Sequence, residues 1–111
     1  MRAPRAAIAT CLLTLSCVAA GGDRTTIIGT PTCAAWNQAH AGTKAAGSPA
    51  LQQWLMGFVS GIAMAALSDF LAGAQRERLV RQASEFCKAH PRNDLADAGL
   101  AIVGDLRARE R

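Results

Sequence analysis

The sequence has no tyrosine, and aromatic residues make up only 5% of its 111 positions. Strands draw on aromatic and β-branched side chains, so an apolar set led by alanine argues for helices and against a sheet. Charge is missing from one place: no Asp, Glu, Lys or Arg falls between Ala45 and Ser68. That stretch has to be weighed as a membrane helix. Its start at Ser48, Pro49, Gln52 and Gln53 is polar, which shortens the apolar part to Trp54–Leu67. A span needs about 20 apolar residues, so the segment reads as a core helix. Chemistry is missing as well. Ser60 stands in Gly57-Phe58-Val59-Ser60-Gly61, which is not the G-x-S-x-G elbow and lies within a helix. It reads as a small residue at a helix crossing, its hydroxyl bonded to a backbone carbonyl. No carboxylate pair sits in apolar surroundings, no glycine-rich phosphate loop precedes a helix, and no basic stripe is interleaved with aromatics. These absences exclude the common enzyme and nucleic-acid classes, and no cofactor is expected.

What is present begins with an export pattern. Arg2 and Arg5 precede an apolar run from Ala6 to Ala20, and Val18-Ala19-Ala20 supplies small residues for cleavage before Gly21. The expectation is a signal peptide at 1–20, an extended or mobile leader at 21–31 and a helical domain at 32–111, in the periplasm or secreted. Lipid attachment at Cys17 is a minor alternative. Loss of residues 1–20 removes two arginines, so the formal charge falls from +4 to +2 and the basic pI is no argument for nucleic acid. Cys11 and Cys17 leave with the signal. Cys33 and Cys87 remain, and in an oxidising compartment two cysteines most simply pair. The alternative is a zinc site using Cys33, His40, Cys87 and His90, at a spacing outside the strong zinc signatures. Otherwise the two histidines read as helix-end residues.

The periodicity then gives four helices. Thr32 is a candidate N-cap for a short helix from Cys33 to His40, and Gly42 stops it. Ser48-Pro49 opens the second helix, an N-cap followed by proline at the first helical position. It runs to about Leu67 and carries Leu51, Trp54, Leu55, Phe58, Ile62 and Ala65 on one face. A second stripe of Gly57, Gly61 and Ala65 suits close approach by a neighbour, which places this helix at the centre of the bundle. Residues 68–74 read as a turn. From Gln75 to His90 the pattern puts Leu79, Ala83, Phe86 and Cys87 inward, with Glu77/Arg81 and Arg81/Glu85 as solvated i, i+4 pairs. Pro91 ends that helix. Asn93 is the expected cap of the last one, with Leu95, Ala98, Ile102 and Leu106 inward, and with Gly99 and Gly104 as weak points in its interior. The expected architecture is an all-α four-helix domain around the helix at 49–67, stapled by one disulfide.

Two resemblances follow from this order. Trp54-Leu55-Met56-Gly57-Phe58-Val59-Ser60-Gly61, then Phe86-Cys87-Lys88-Ala89-His90-Pro91 and Leu95-Ala96-Asp97-Ala98, resembles the Rap/Tai-type immunity proteins. Those small exported helical proteins protect a bacterium from type VI secretion effectors. The arrangement of a Cys opening the first helix, a long apolar helix, and a Cys near the end of the next is similar to HdeA, the periplasmic acid-stress chaperone. The first resemblance implies a non-catalytic protein-binding module that inhibits a secreted effector, with Trp54, Gly57, Phe58, Ser60 and Gly61 as its core motif. The second implies a chaperone whose partners are acid-unfolded clients. A structural accessory of the envelope or a secretion system is a third reading. Trp36, Arg76, Arg78 and Arg81 are the candidate contact residues for a protein partner. Nucleic acid and a stable membrane span are not expected.

Overall fold

The computed structural model describes residues 25–41 and 47–110. The expected signal peptide, its cleavage point and Cys17 lie outside the described residues, as do leader residues 21–24. Four helices follow in order: α1 (Cys33–Ala39), α2 (Pro49–Ala66), α3 (Arg76–Ala89) and α4 (Leu95–Arg109). No strand occurs among the described residues, and none of their helices is long and apolar enough to cross a membrane. Cys33 and Cys87 form the disulfide. The all-α, four-helix, single-disulfide expectation holds.

Most of the helix ends follow the sequence signals. The Thr32 hydroxyl accepts from Ala35 N–H at 3.0 Å and the Ser48 hydroxyl from Leu51 N–H at 3.3 Å, each satisfying a donor the first helical turn leaves open. Both histidines sit at helix C-caps, His40 after α1 and His90 after α3. At the last helix the cap is Asp94, not Asn93. The Asp94 carboxylate accepts from Asp97 N–H at 2.9 Å and the Asp97 carboxylate from Asp94 N–H at 3.2 Å, a reciprocal capping box. Asn93 is held one residue earlier by its backbone. Its carbonyl accepts from Cys33 N–H at 3.0 Å while Leu95 N–H donates to Pro31 O at 2.8 Å, forming an isolated antiparallel bridge at Thr32 and Asp94. That bridge ties down residues 31 and 32, which follow a turn at 27–30. Gly29 takes φ +75° there, as the third position of such a turn requires, and the Thr30 hydroxyl donates to Ile27 O.

The interior position belongs to α4. It packs on α2 along one side and on α3 along the other, while α1 packs on α3. Seven of its residues are buried: Leu95, Ala96, Ala98, Gly99, Ile102, Val103 and Leu106. In α2 only Leu55 and Val59 are fully buried, so this helix is an outer wall and not the centre. The predicted small-residue stripe is corrected with it. Gly57, Ser60, Gly61 and Ala65 are exposed, and a Cβ built on either glycine meets nothing within 4 Å. Ser60 therefore lies at no helix crossing. Close packing occurs at Gly99 instead, where a Cβ would stand 2.5 Å from the Phe58 ring and 3.6 Å from Leu55. Gly99 is thus required by the α2–α4 contact and is not a weak point.

Opposite outcomes are expected at the two glycines of α4. Alanine at Gly104, where no neighbour stands within 4 Å, should raise stability by about 1 kcal/mol through helix propensity alone. At Gly99 the same propensity gain is outweighed by overpacking of about 1–3 kcal/mol, so alanine should lower stability. Urea unfolding of the two variants gives both signs.

The end of α2 is strained. Leu67 adopts φ 50°, ψ 40°, with Leu67 N–H donating to Met64 O and Ser68 N–H to Ala63 O, the paired bonds of a Schellman C-cap. That position ordinarily takes glycine, because a side chain there costs about 1–2 kcal/mol. Leu67 is 94% exposed and gains no burial in exchange. Leu67→Gly should therefore stabilise the domain by about 1 kcal/mol, read as a rise in Tm of several degrees.

Candidate partner-binding surface

The side chains proposed from the sequence fall into three places. Trp36 is not on the surface. It is fully buried, its indole N–H donates to the Ser84 hydroxyl at 3.0 Å, and its ring stacks on His40 with centroids 4.0 Å apart. A short amphipathic helix puts its largest apolar residue against its neighbour, so Trp36 anchors α1 on α3 beside the disulfide. Asn37 adds a bond from its amide to Cys87 O at 3.0 Å. His40 is fixed by the same unit. Its Nδ1–H must donate to the Trp36 carbonyl at 2.8 Å, which leaves Nε2 to accept from the Gln52 amide at 3.2 Å.

Arg76 and Arg81 are exposed and meet His40, Gln52, Glu77 and Ser84 around a cleft of about 460 Å³. Arg78 does not line it. The predicted pairs Glu77/Arg81 and Arg81/Glu85 are not formed. Among the described residues the ion pair is Asp105 with Arg109, at 3.2 Å on α4. With Glu77 among its walls, the cleft has no strong charge of one sign.

The third place is the outer face of α2. Trp54 and Phe58 stack at 5.2 Å and lean on the core, half-buried. Around the helix from them come Gly61 and Gly57, then Met64, Gln53 and Ser60, all exposed. Met64 is 77% exposed, Leu67 is 94% exposed, and on α4 Leu100 is 53% exposed. No charged side chain from α2 interrupts this surface, because α2 has none. On its Phe58 side the face runs into a cleft of about 700 Å³ lined by Thr25, Ile27, Phe58, Ile62, Asp97 and Leu100, with Thr26, Thr30, Asp94 and Ala96 completing it. Scattered exposed apolar residues are ordinary on a monomer. A continuous, uncharged helix face carrying exposed Met and Leu is the kind of surface that marks an interaction site. Sequence reading took the missing charge as a sign of burial, and the same absence describes an exposed apolar face equally well.

The disulfide takes both thiolates out of the alternative zinc set, and no group of three or more His, Cys, Asp or Glu among the described residues could hold a metal ion. No protein family, no curated protein and no solved structure matches the chain.

Proposed function

We propose that this chain is a non-catalytic protein-binding module that works in the periplasm, an immunity-type inhibitor that covers a secreted effector. One observation carries the reading: the α2 face around Gly57, Gly61 and Met64 has no charge, exposes Met64, and is covered by no other helix among the described residues, whose core is formed without it. The strain at Leu67 supports it. Folding alone would favour glycine there, so an exposed leucine held in the left-handed region fits selection for a surface contact. A rigid four-helix body with a disulfide also keeps the ordering cost of binding low.

Cross-linking capture with the mature domain at pH 7, repeated at pH 3, tests this reading. One stoichiometric partner at pH 7 is expected. Many partners appearing only at pH 3 would replace the inhibitor reading with the acid-chaperone one, and nothing at either pH would leave a structural accessory. Among the described residues no charged side chain is buried, so protonation has no interior carboxylate to act on, and the chaperone reading gains no support from the fold.

A further inference from the structure

We infer that the cleft between the leader turn and the α2–α4 crossing receives a partner segment that presents an apolar side chain beside a lysine or arginine. The inference rests on the protein-binding reading and names the chemistry of the contact. The floor of the cleft is Phe58, Ile62 and Leu100, and its volume of about 700 Å³ accommodates a leucine-sized side chain together with flanking backbone. Thr25, Thr26 and Thr30 line it as well; the Thr30 hydroxyl donates to Ile27 O and keeps its oxygen as an acceptor, so these residues suit hydrogen bonding to an extended peptide.

Charge decides the rest. Asp94 and Asp97 stand on the wall, and among the described residues no Lys, Arg or His lines the cleft. Each carboxylate uses one oxygen in the capping box, Asp94 Oδ1 and Asp97 Oδ2. The second oxygen of each has no hydrogen-bond or ion-pair partner among the described residues, and both side chains are only partly buried. Arg92 lines the adjoining cleft on the other side of these carboxylates and is ion-paired with neither. Two carboxylates outweigh the half-charge of the α4 N-terminus, so the local field favours a cation. A cationic group entering beside an apolar side chain would meet both oxygens while the side chain covers Phe58 and Leu100. An acidic or wholly apolar segment would leave the carboxylates facing a partner that cannot answer them.

The test uses two blocked tetrapeptides as probes, Ala-Leu-Lys-Ala and Ala-Leu-Glu-Ala, titrated into the ¹⁵N-labelled chain from residue 21. The lysine peptide should shift amides at 25–30, 58–62 and 94–100, and bind at least about fivefold more tightly than the glutamate peptide. In the double variant Asp94→Asn, Asp97→Gln the preference should vanish. Asparagine keeps an N-cap and glutamine keeps the return bond of the box, so the melting curve of that variant should stay near wild type. Equal binding of the two peptides overturns the inference, as do shifts confined to other surfaces. Binding seen only in a chain starting at residue 25 also overturns it, because the chain's own residues 21–24 would then be the occupant. If the peptides fail while the domain still captures a partner through Met64, this inference falls and the binding reading stands. If capture fails too, both fall.

Discussion

Replacing Trp36 with alanine should lower the unfolding free energy by about 3–5 kcal/mol, the usual cost of removing a buried aromatic side chain. Trp36 is fully buried and fills the contact between α1 and α3, with the Ser84 hydroxyl and the His40 ring as its partners. Helix α1 has seven residues, too few to hold a helix without tertiary packing. Its existence depends on this anchor and on the bond at Cys33. For a domain of this size the loss corresponds to a fall in Tm of roughly 15–30 °C. Phenylalanine at the same place keeps most of the packing and loses the bond to Ser84, so its cost should be about 1–2 kcal/mol. Thermal melts of the two variants check the order. An alanine variant within about 0.5 kcal/mol of wild type would return Trp36 to the surface, where the sequence reading put it.

Removing the disulfide should have a comparable effect. Cys33 and Cys87 close a loop with a sequence separation of 54, and constraining a chain of that length contributes about 4 kcal/mol on the chain-entropy account. The double variant Cys33→Ala, Cys87→Ala should therefore unfold at much lower urea, with a steeper m value because its unfolded chain is more expanded. The two losses should not add. Trp36 and Cys33 lie on one turn of one helix, so once the link is cut and α1 loosens, removing Trp36 costs little more. A double-mutant cycle showing full additivity would contradict this account of α1.

Local chemistry was readable in the sequence, and spatial arrangement was not. Thr32, Ser48-Pro49, Pro91 and the cysteine pair each act through neighbours in the chain or through simple pairing, and each does what its residue type suggests. Asn93 and Asp94 are both good caps, and the reciprocal bond to Asp97 decides between them, a contact three residues further on. The outer position of α2 is not legible in the sequence, for a physical reason. An uncharged helix with glycines four apart looks the same whether a neighbour covers it or not. The signal that names the inner helix lay elsewhere: Gly99 falls on the stripe of Leu95, Ile102 and Leu106, whereas Gly104 does not. A glycine on the inward face of an amphipathic helix points to a close approach. Phe70 is buried from within a turn, where no periodicity marks it. The candidate surface is the least legible part, since exposure of Met64 and Leu67 follows only from where α4 sits.

The most direct test of the account compares partner capture at pH 7 by the wild-type domain, by Met64→Glu and by Arg76→Ser. Met64 and Arg76 are both exposed and lie on different faces, so neither change should alter the melting curve much. A charge placed in the middle of the α2 face should weaken capture by about tenfold or more, while Arg76→Ser leaves it near wild type. Capture that survives at Met64→Glu and fails at Arg76→Ser would move the binding surface to the cleft beside His40 and contradict the account.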